Sequence, residues 1–318
     1  MTKLPFLTKP DLGLQEKNNM PRKDYLINSY TGSGVAWLLN FFLESDVLVY
    51  RGKSIEDTWD FDGKKYRLRE DQEVLKQWCP VLAEKEEFEF KKNIAIRWMH
   101  EFPRKKLLKE KIILLTRDGR DTIYSQFKRE NIFKDFNKML SSGTEPFNLN
   151  PADTWALMNH DWLTAIKKEN LFIIKFKEIK SNPFPVLQKL LVFLNIDLTE
   201  EEINRGIESS GFERAKRAEE EYRKKGGKTQ FKLVNRKGVS GEWRDIYMSK
   251  ELSYFKGFPN SILKKLNYDV VDEDSYPRTY ILKMGLLVCL FKIKKFCFWQ
   301  MKRTIILLKK IFSKMNIC

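Results

Sequence analysis

Apolar and polar positions along this chain alternate between two regimes. Near-continuous apolar runs fall at 25–29, 94–99, 111–116 and 171–176. Runs of that length predict strands buried on both faces. Between them, apolar residues recur at the three-and-four spacing of helices over 34–44, 71–79, 119–131 and 151–168. A further helix is expected from Pro183 to Asn195, with Val186, Leu187, Leu190, Leu191 and Leu194 on one face. Residues 211–225, rich in Glu, Arg and Lys, predict a solvated helix. Strands alternating with helices predict an α/β domain of three layers, a central parallel sheet flanked by helices. Residues 23–275 form that domain, 1–22 a polar lead, and 276–318 a basic amphipathic helical tail.

Ligands of such sheets sit outside the carboxyl ends of the strands. Two turns fall there. The first, Thr31-Gly32-Ser33-Gly34, joins a strand to the helix beginning Val35-Ala36-Trp37. Backbone N–H groups at a helix start, helped by the helix dipole, make an anion site. The absence of a following Gly-Lys-Ser/Thr excludes a Walker A loop. The second turn carries Arg117, with Asp121 four residues on and Ser125 eight on. Arg117 offers a fork of donors suited to phosphate, and Ser125 lies two helical turns into the next helix. Far downstream, Arg236-Lys237-Gly238 precedes Val239-Ser240-Gly241-Glu242-Trp243. Glycines let such a backbone bend around an anion, and two adjacent cations neutralise it. Taken singly, each stretch also reads as an ordinary surface turn or basic loop.

Taken in order, the three stretches resemble the sulfotransferases that use 3′-phosphoadenosine-5′-phosphosulfate (PAPS), over residues 22 to 268. The resemblance implies a P-loop-like phosphosulfate loop, with Gly32, Ser33, Gly34, Val35 and Ala36 on the 5′-phosphosulfate. It implies that Arg117, Ser125, Arg236, Lys237 and Gly238 hold the 3′-phosphate. It places Trp37 and Phe212 on the two faces of the adenine, where an aromatic ring suits any base. PAPS would be the co-substrate, with no metal. The chain departs from the family pattern at Gly32, where a lysine is usual, at Val35-Ala36, usually two threonines, and at Phe176, often a tyrosine. Removing a charge stabiliser costs roughly 3 kcal/mol of transition-state binding, so Arg97, Arg104 or Lys105 is expected to stand in.

Sulfuryl transfer needs a base. His100 ends the run Ile94 to Met99, the carboxyl end of a predicted strand, and matches the family's catalytic histidine. Glu101 is the rival base, and a satisfied structural histidine the bland alternative. His160, inside the 151–168 helix beside Trp155 and Trp162, is expected to pack rather than react.

Composition narrows the partners. A net charge of +16 implies anionic ligands or surfaces, and no zinc-finger spacing or RNA-binding signature points to nucleic acid. Cys79, Cys289, Cys297 and Cys318 are scattered without metal-ligand spacing, which fits a reducing, cytoplasmic setting. No run of 18 uncharged apolar residues exists. Residues 281–318 hold nine Lys/Arg and no Asp/Glu. Met301, Ile305, Leu308, Phe312 and Met315 share one face there, which suits a helix lying on an anionic membrane; a helix packed on the domain is the alternative. An alcohol or amine acceptor, carbohydrate or lipid-linked, suits the basic surface, with 46–92 and 132–150 expected to line its pocket. Two other readings stand beside a transferase: a catalytically weak relative that binds nucleotide or anionic glycan without turnover, and a nucleotide kinase, which the missing Walker lysine argues against.

Overall fold

The computed structural model describes residues 23–271, apart from 91–92, 105–106, 108–109, 131, 145–146, 230–231 and 233. The polar lead, the basic tail and Lys105 thus lie outside the described residues. In chain order the strands are β1 (Lys23–Ser29), β2 (Leu48–Arg51), β3 (Trp59–Phe61), β4 (Tyr66–Leu68), β5 (Glu87–Phe88), β6 (Ile94–Met99), β7 (Ile112–Thr116) and β8 (Leu171–Lys175). Five of them form the main sheet in the order β2-β6-β1-β7-β8. All its pairings are parallel, with Leu26 of β1 opposite both Arg97 and Ile112.

Three of the apolar runs become the central strands β6, β1 and β7, with helices covering both faces, and the fourth becomes the edge strand β8, where Ile173 is exposed. Tyr25 and Ile27 of β1, with Ile113 and Leu115 of β7, join one core. Leu26, Ile112 and Leu114 join the other. The first core is closed by α1 (Val35–Glu44), whose Leu38, Leu39, Phe41, Phe42 and Leu43 are buried, and by the Pro183–Leu194 helix. The second is closed by the Gly119–Glu130 and Pro151–Ala165 helices, with Trp155 and Trp162 fully buried.

Four parts of the fold differ from the sequence reading. Strand β2 was hidden because Val47–Tyr50 follows α1 after a turn of only two residues, Ser45-Asp46, with Asp46 at φ 56°. Strands β3, β4 and β5 form a separate antiparallel sheet of two- and three-residue strands, too short to show a period. The 71–79 helix is a 3-10 helix, Glu70–Gln77, with only Leu75 and Gln77 buried. The Phe212–Lys224 helix is also less solvated than its charges suggest, since Ala215, Ala218, Glu219 and Tyr222 are buried. Glu219 is 1% exposed and accepts hydrogen bonds from Gln77 Nε2 and from the backbone N–H groups of Val234 and Asn235. It thereby ties the approach to the basic glycine loop onto this helix. Among the described residues, no helix is long and apolar enough to cross a membrane.

Candidate functional site

The carboxyl ends of β1, β6 and β7 open into one solvent-facing cleft. Gly32, Gly34, Val35, Ala36, Trp37, His100, Arg117, Ser125, Phe212, Arg236, Lys237 and Gly238 all line it. Residues from five separate stretches of sequence are therefore brought together. Ser33 is not: it is 1% exposed, and its hydroxyl has no hydrogen-bond partner among the described residues.

The loop after β1 needs its glycines. Gly32 and Gly34 have φ of +88° and +87°, where side chains are strained. A Cβ on Gly34 would also sit 2.3 Å from the Phe176 ring. Gly34 caps α1, and Val35 and Ala36 in its first turn line the cleft, where the free N–H groups of a helix start suit an anion.

Arg117 crosses from this loop to the basic glycine loop. Its Nη1 donates to the Gly32 carbonyl at 3.0 Å and its Nη2 to the Val239 carbonyl at 2.8 Å. Its guanidinium also lies 4.9 Å from the centre of the Phe176 ring. Burial pushes it below the ordinary arginine value, and Asp121 and Glu242 oppose that. Arg117 Nε is buried with no hydrogen-bond partner among the described residues. An unmade bond of that kind is costly, and a bound anion would make it.

Asp121 has a different job from its neighbours in the motif. It accepts from the backbone N–H groups of Gly241 at 2.6 Å and Trp243 at 3.0 Å, which fixes the glycine loop against the Gly119–Glu130 helix. Arg120, fully buried against Asp118, supports the same junction by stacking 3.6 Å from the Trp243 ring centre. Arg236 and Lys237 both pair with Glu242, Lys237 at 2.9 Å. Those bonds, Arg236 first, hold the Glu242 carboxyl down at about 2. Glu242 also lines the cleft.

His100 follows β6 and lies beside the end of β1. Its Nδ1 is 2.7 Å from the Ser29 carbonyl, which can only accept, so Nδ1 carries the proton. Nε2 is then the unprotonated nitrogen of a ring that lines the cleft. Burial lowers the imidazole to about 4; the Ser29 carbonyl opposes this, while the charges of Arg129 and Arg51 push it further down. At neutral pH His100 is a neutral imidazole with a fixed tautomer. Glu101, the rival base, does not line the cleft and pairs with Arg104 instead. His160 meets the edge of the Phe258 ring at 5.6 Å.

Neither described stand-in for the loop lysine reaches the cleft. Arg97 pairs with Glu110 at 3.4 Å and Arg104 with Glu101. The cations that do line it, beyond those expected, are Arg51, Arg129 and Lys180. Arg129 had a sequence signal, since it lies four residues after Ser125 on the same helical face. Arg51 had none, because its edge strand was not foreseen. From 46–92, Arg51, Trp78 and Pro80 line the cleft; none of the described residues of 132–150 does. Among the described residues, no three His, Cys, Asp or Glu side chains gather as a metal site.

The glycine turn, the paired cations and the neutral histidine thus gather outside the carboxyl ends of a parallel sheet, the place where α/β proteins of this class bind their ligands. The family described as "Sulfotransferase domain" matches residues 22–256, so the chain belongs to the sulfotransferase family. It is similar to human sulfotransferase 2A1, 24% identical over 159 residues, and to the macaque protein of that name, 22% identical over 157 residues. Those alignments cover 44% and 43% of this chain and 51% and 50% of the relatives, so the chain spans about half the length of the curated relatives it matches. Mouse sulfotransferase SULT7A1 complexed with PAP shares the fold at a TM-score of 0.52, with 20% identity, over 77% of this chain and 85% of that one. Retinol dehydratase in complex with androsterone and inactive cofactor PAP does so at 0.51, with 19% identity, over 80% and 85%.

Proposed function

We propose that this protein moves a sulfuryl group from PAPS to a hydroxyl or amine of an acceptor, with His100 as base. The observation that carries this reading is one cleft shared by Gly32, Gly34, Val35, Ala36, Arg117, Ser125, Arg236, Lys237, Gly238 and His100. Arg117 and the Arg236–Gly238 segment suit the 3′-phosphate, and the loop suits the 5′-phosphosulfate. Trp37 and Phe212, which line the same cleft, suit the adenine. The PAP held by the mouse sulfotransferase and by retinol dehydratase supports the same donor.

In the reaction, the acceptor oxygen or nitrogen attacks sulfur and forms the new bond to it. The bond from sulfur to the bridging phosphate oxygen breaks, and that oxygen keeps the electron pair as PAP departs. The acceptor proton goes to Nε2 of His100. A neutral imidazole at pH 7 is ready for that role. A carbohydrate or lipid-linked acceptor suits the basic surface. Residues 281–318, acid-free and Lys-rich, would hold the protein at an anionic membrane from the cytoplasmic side. Loss of anionic-vesicle binding on removal of 281–318 tests that part.

The second reading is a nucleotide-binding relative with little turnover, favoured by the loop without a lysine at Gly32. Labelled PAPS incubated with acceptor extracts separates the two. Label transferred to an acceptor supports the enzyme, and binding of PAP without transfer supports the second reading.

A further inference from the structure

We propose that Arg129 is a further catalytic residue of this cleft, its guanidinium meeting the sulfuryl group and the bridging oxygen where the loop offers no cation. This rests on the sulfuryl-transfer reading above. As the bond from sulfur to the bridging oxygen breaks, negative charge grows on the leaving phosphate. A preorganised cation at that point is among the strongest devices available to an active site. The loop from Tyr30 to Trp37 has no cationic side chain.

The cations lining the cleft are Arg51, Arg117, Arg129, Lys180, Arg236 and Lys237. Four of them are engaged away from the base. Arg236 and Lys237 are held by Glu242. Arg117 bridges the Gly32 and Val239 carbonyls. Lys180 lies 5.4 Å from the Phe212 ring centre, at the aromatic side. Arg51 and Arg129 are the two whose charges bear on His100. Arg51 is exposed on the edge strand, 5.2 Å from the centre of the Trp98 ring.

Arg129 is placed differently. Its side chain is 13% exposed, and its Nη2 donates to the Thr31 hydroxyl at 2.7 Å, next to Gly32 in the loop. Glu130 accepts from the same nitrogen at 3.0 Å and steadies it. The helix that carries Arg129 also carries Ser125, one turn earlier, into the cleft. Arg129 is thus fastened to the phosphosulfate loop and within electrostatic reach of the base. The guanidinium is thus held beside the loop, and its planar fork suits the oxygens of a sulfuryl group.

The test compares PAPS, which carries the sulfuryl group, with PAP, which does not. Calorimetric affinities for both are measured on the full chain and on Arg129→Ala, Arg129→Lys and Arg51→Ala, with slow PAPS hydrolysis as the rate probe. Arg129→Ala is expected to keep PAP affinity within about twofold, to weaken PAPS about tenfold and to slow hydrolysis about a hundredfold. Arg129→Lys should recover part of both losses, and Arg51→Ala should leave the ratio of PAPS to PAP affinity unchanged. Retained PAP binding also certifies that the variant is folded. Equal losses for PAP and PAPS, or unchanged PAPS binding and hydrolysis in Arg129→Ala, would overturn the role of Arg129 alone. Failure of the unmodified chain to bind PAP would bring down the reading of the whole cleft.

Discussion

His100 donates its Nδ1–H to the Ser29 carbonyl at 2.7 Å, so the end of β1 sets the tautomer of the residue that follows β6. Replacing the ring with an amide keeps a donor for Ser29 but removes the basic nitrogen. His100→Gln is therefore expected to lower turnover about 10²–10⁴-fold while PAP affinity stays the same. Steady-state rates and calorimetry check this. A near-normal rate would remove His100 from the chemistry.

The same burial makes His100 a source of acid sensitivity. Its folded value of about 4 lies below the ordinary 6.5, so between those values the unfolded chain binds more protons than the folded one. Stability then rises with pH across that window and falls on acidification from 6.5 towards 4. Denaturant titrations at pH 7, 5.5 and 4.5 should show wild type losing more stability than His100→Gln. Equal losses would contradict a half-buried imidazole held neutral. The acid limb of activity should likewise lie nearer pH 4 than 6.5.

Glu242 occupies the cations that the 3′-phosphate would use. Glu242→Gln keeps the shape but frees Arg236 and Lys237, whose pairing it now satisfies. PAP affinity at low salt is expected to rise by about 1 kcal/mol, roughly fivefold. The gain should shrink as salt is added. Weaker PAP binding in this variant would mean that Glu242 orients the two cations rather than competing for them.

A lysine cannot be restored at Gly32. The residue has φ +88°, and a Cβ there would lie 2.8 Å from the backbone carbonyl oxygen of Thr122. Gly32→Ala and Gly32→Lys should each cost about 1–3 kcal/mol and lower the melting temperature alike. A Gly32→Lys variant with wild-type stability and raised turnover would refute this geometry.

The sheet was legible where burial acts on both faces. The runs over 25–29, 94–99 and 111–116 became the central strands β1, β6 and β7, and the run over 171–176 became β8 although that strand lies at the edge with Ile173 exposed. Strand β2 was lost because only Ser45-Asp46 separates it from α1, so its Val47–Tyr50 reads as more helix. The site was legible where one short stretch holds both a turn and its chemistry, as at Gly32–Gly34, Arg117 and Arg236–Gly238. It was not legible where the fold supplies the neighbour. Asp121 looked like part of an anion site, yet its carboxylate is taken by the amides of Gly241 and Trp243, 120 and 122 residues away. Arg51 and Trp78 reach the cleft from the edge strand and the segment after it, and no local pattern marks them.

The shared nucleotide cleft is tested most directly by calorimetric titration of PAP into the full chain, Arg117→Ala and Lys237→Ala. On the proposed reading each substitution would remove a charge-assisted bond to phosphate, and each is expected to weaken binding by about 1.5–3 kcal/mol from a saturable single site in the unmodified chain. No saturable PAP binding, or affinity unchanged in both variants, would contradict the cleft as the site of the nucleotide.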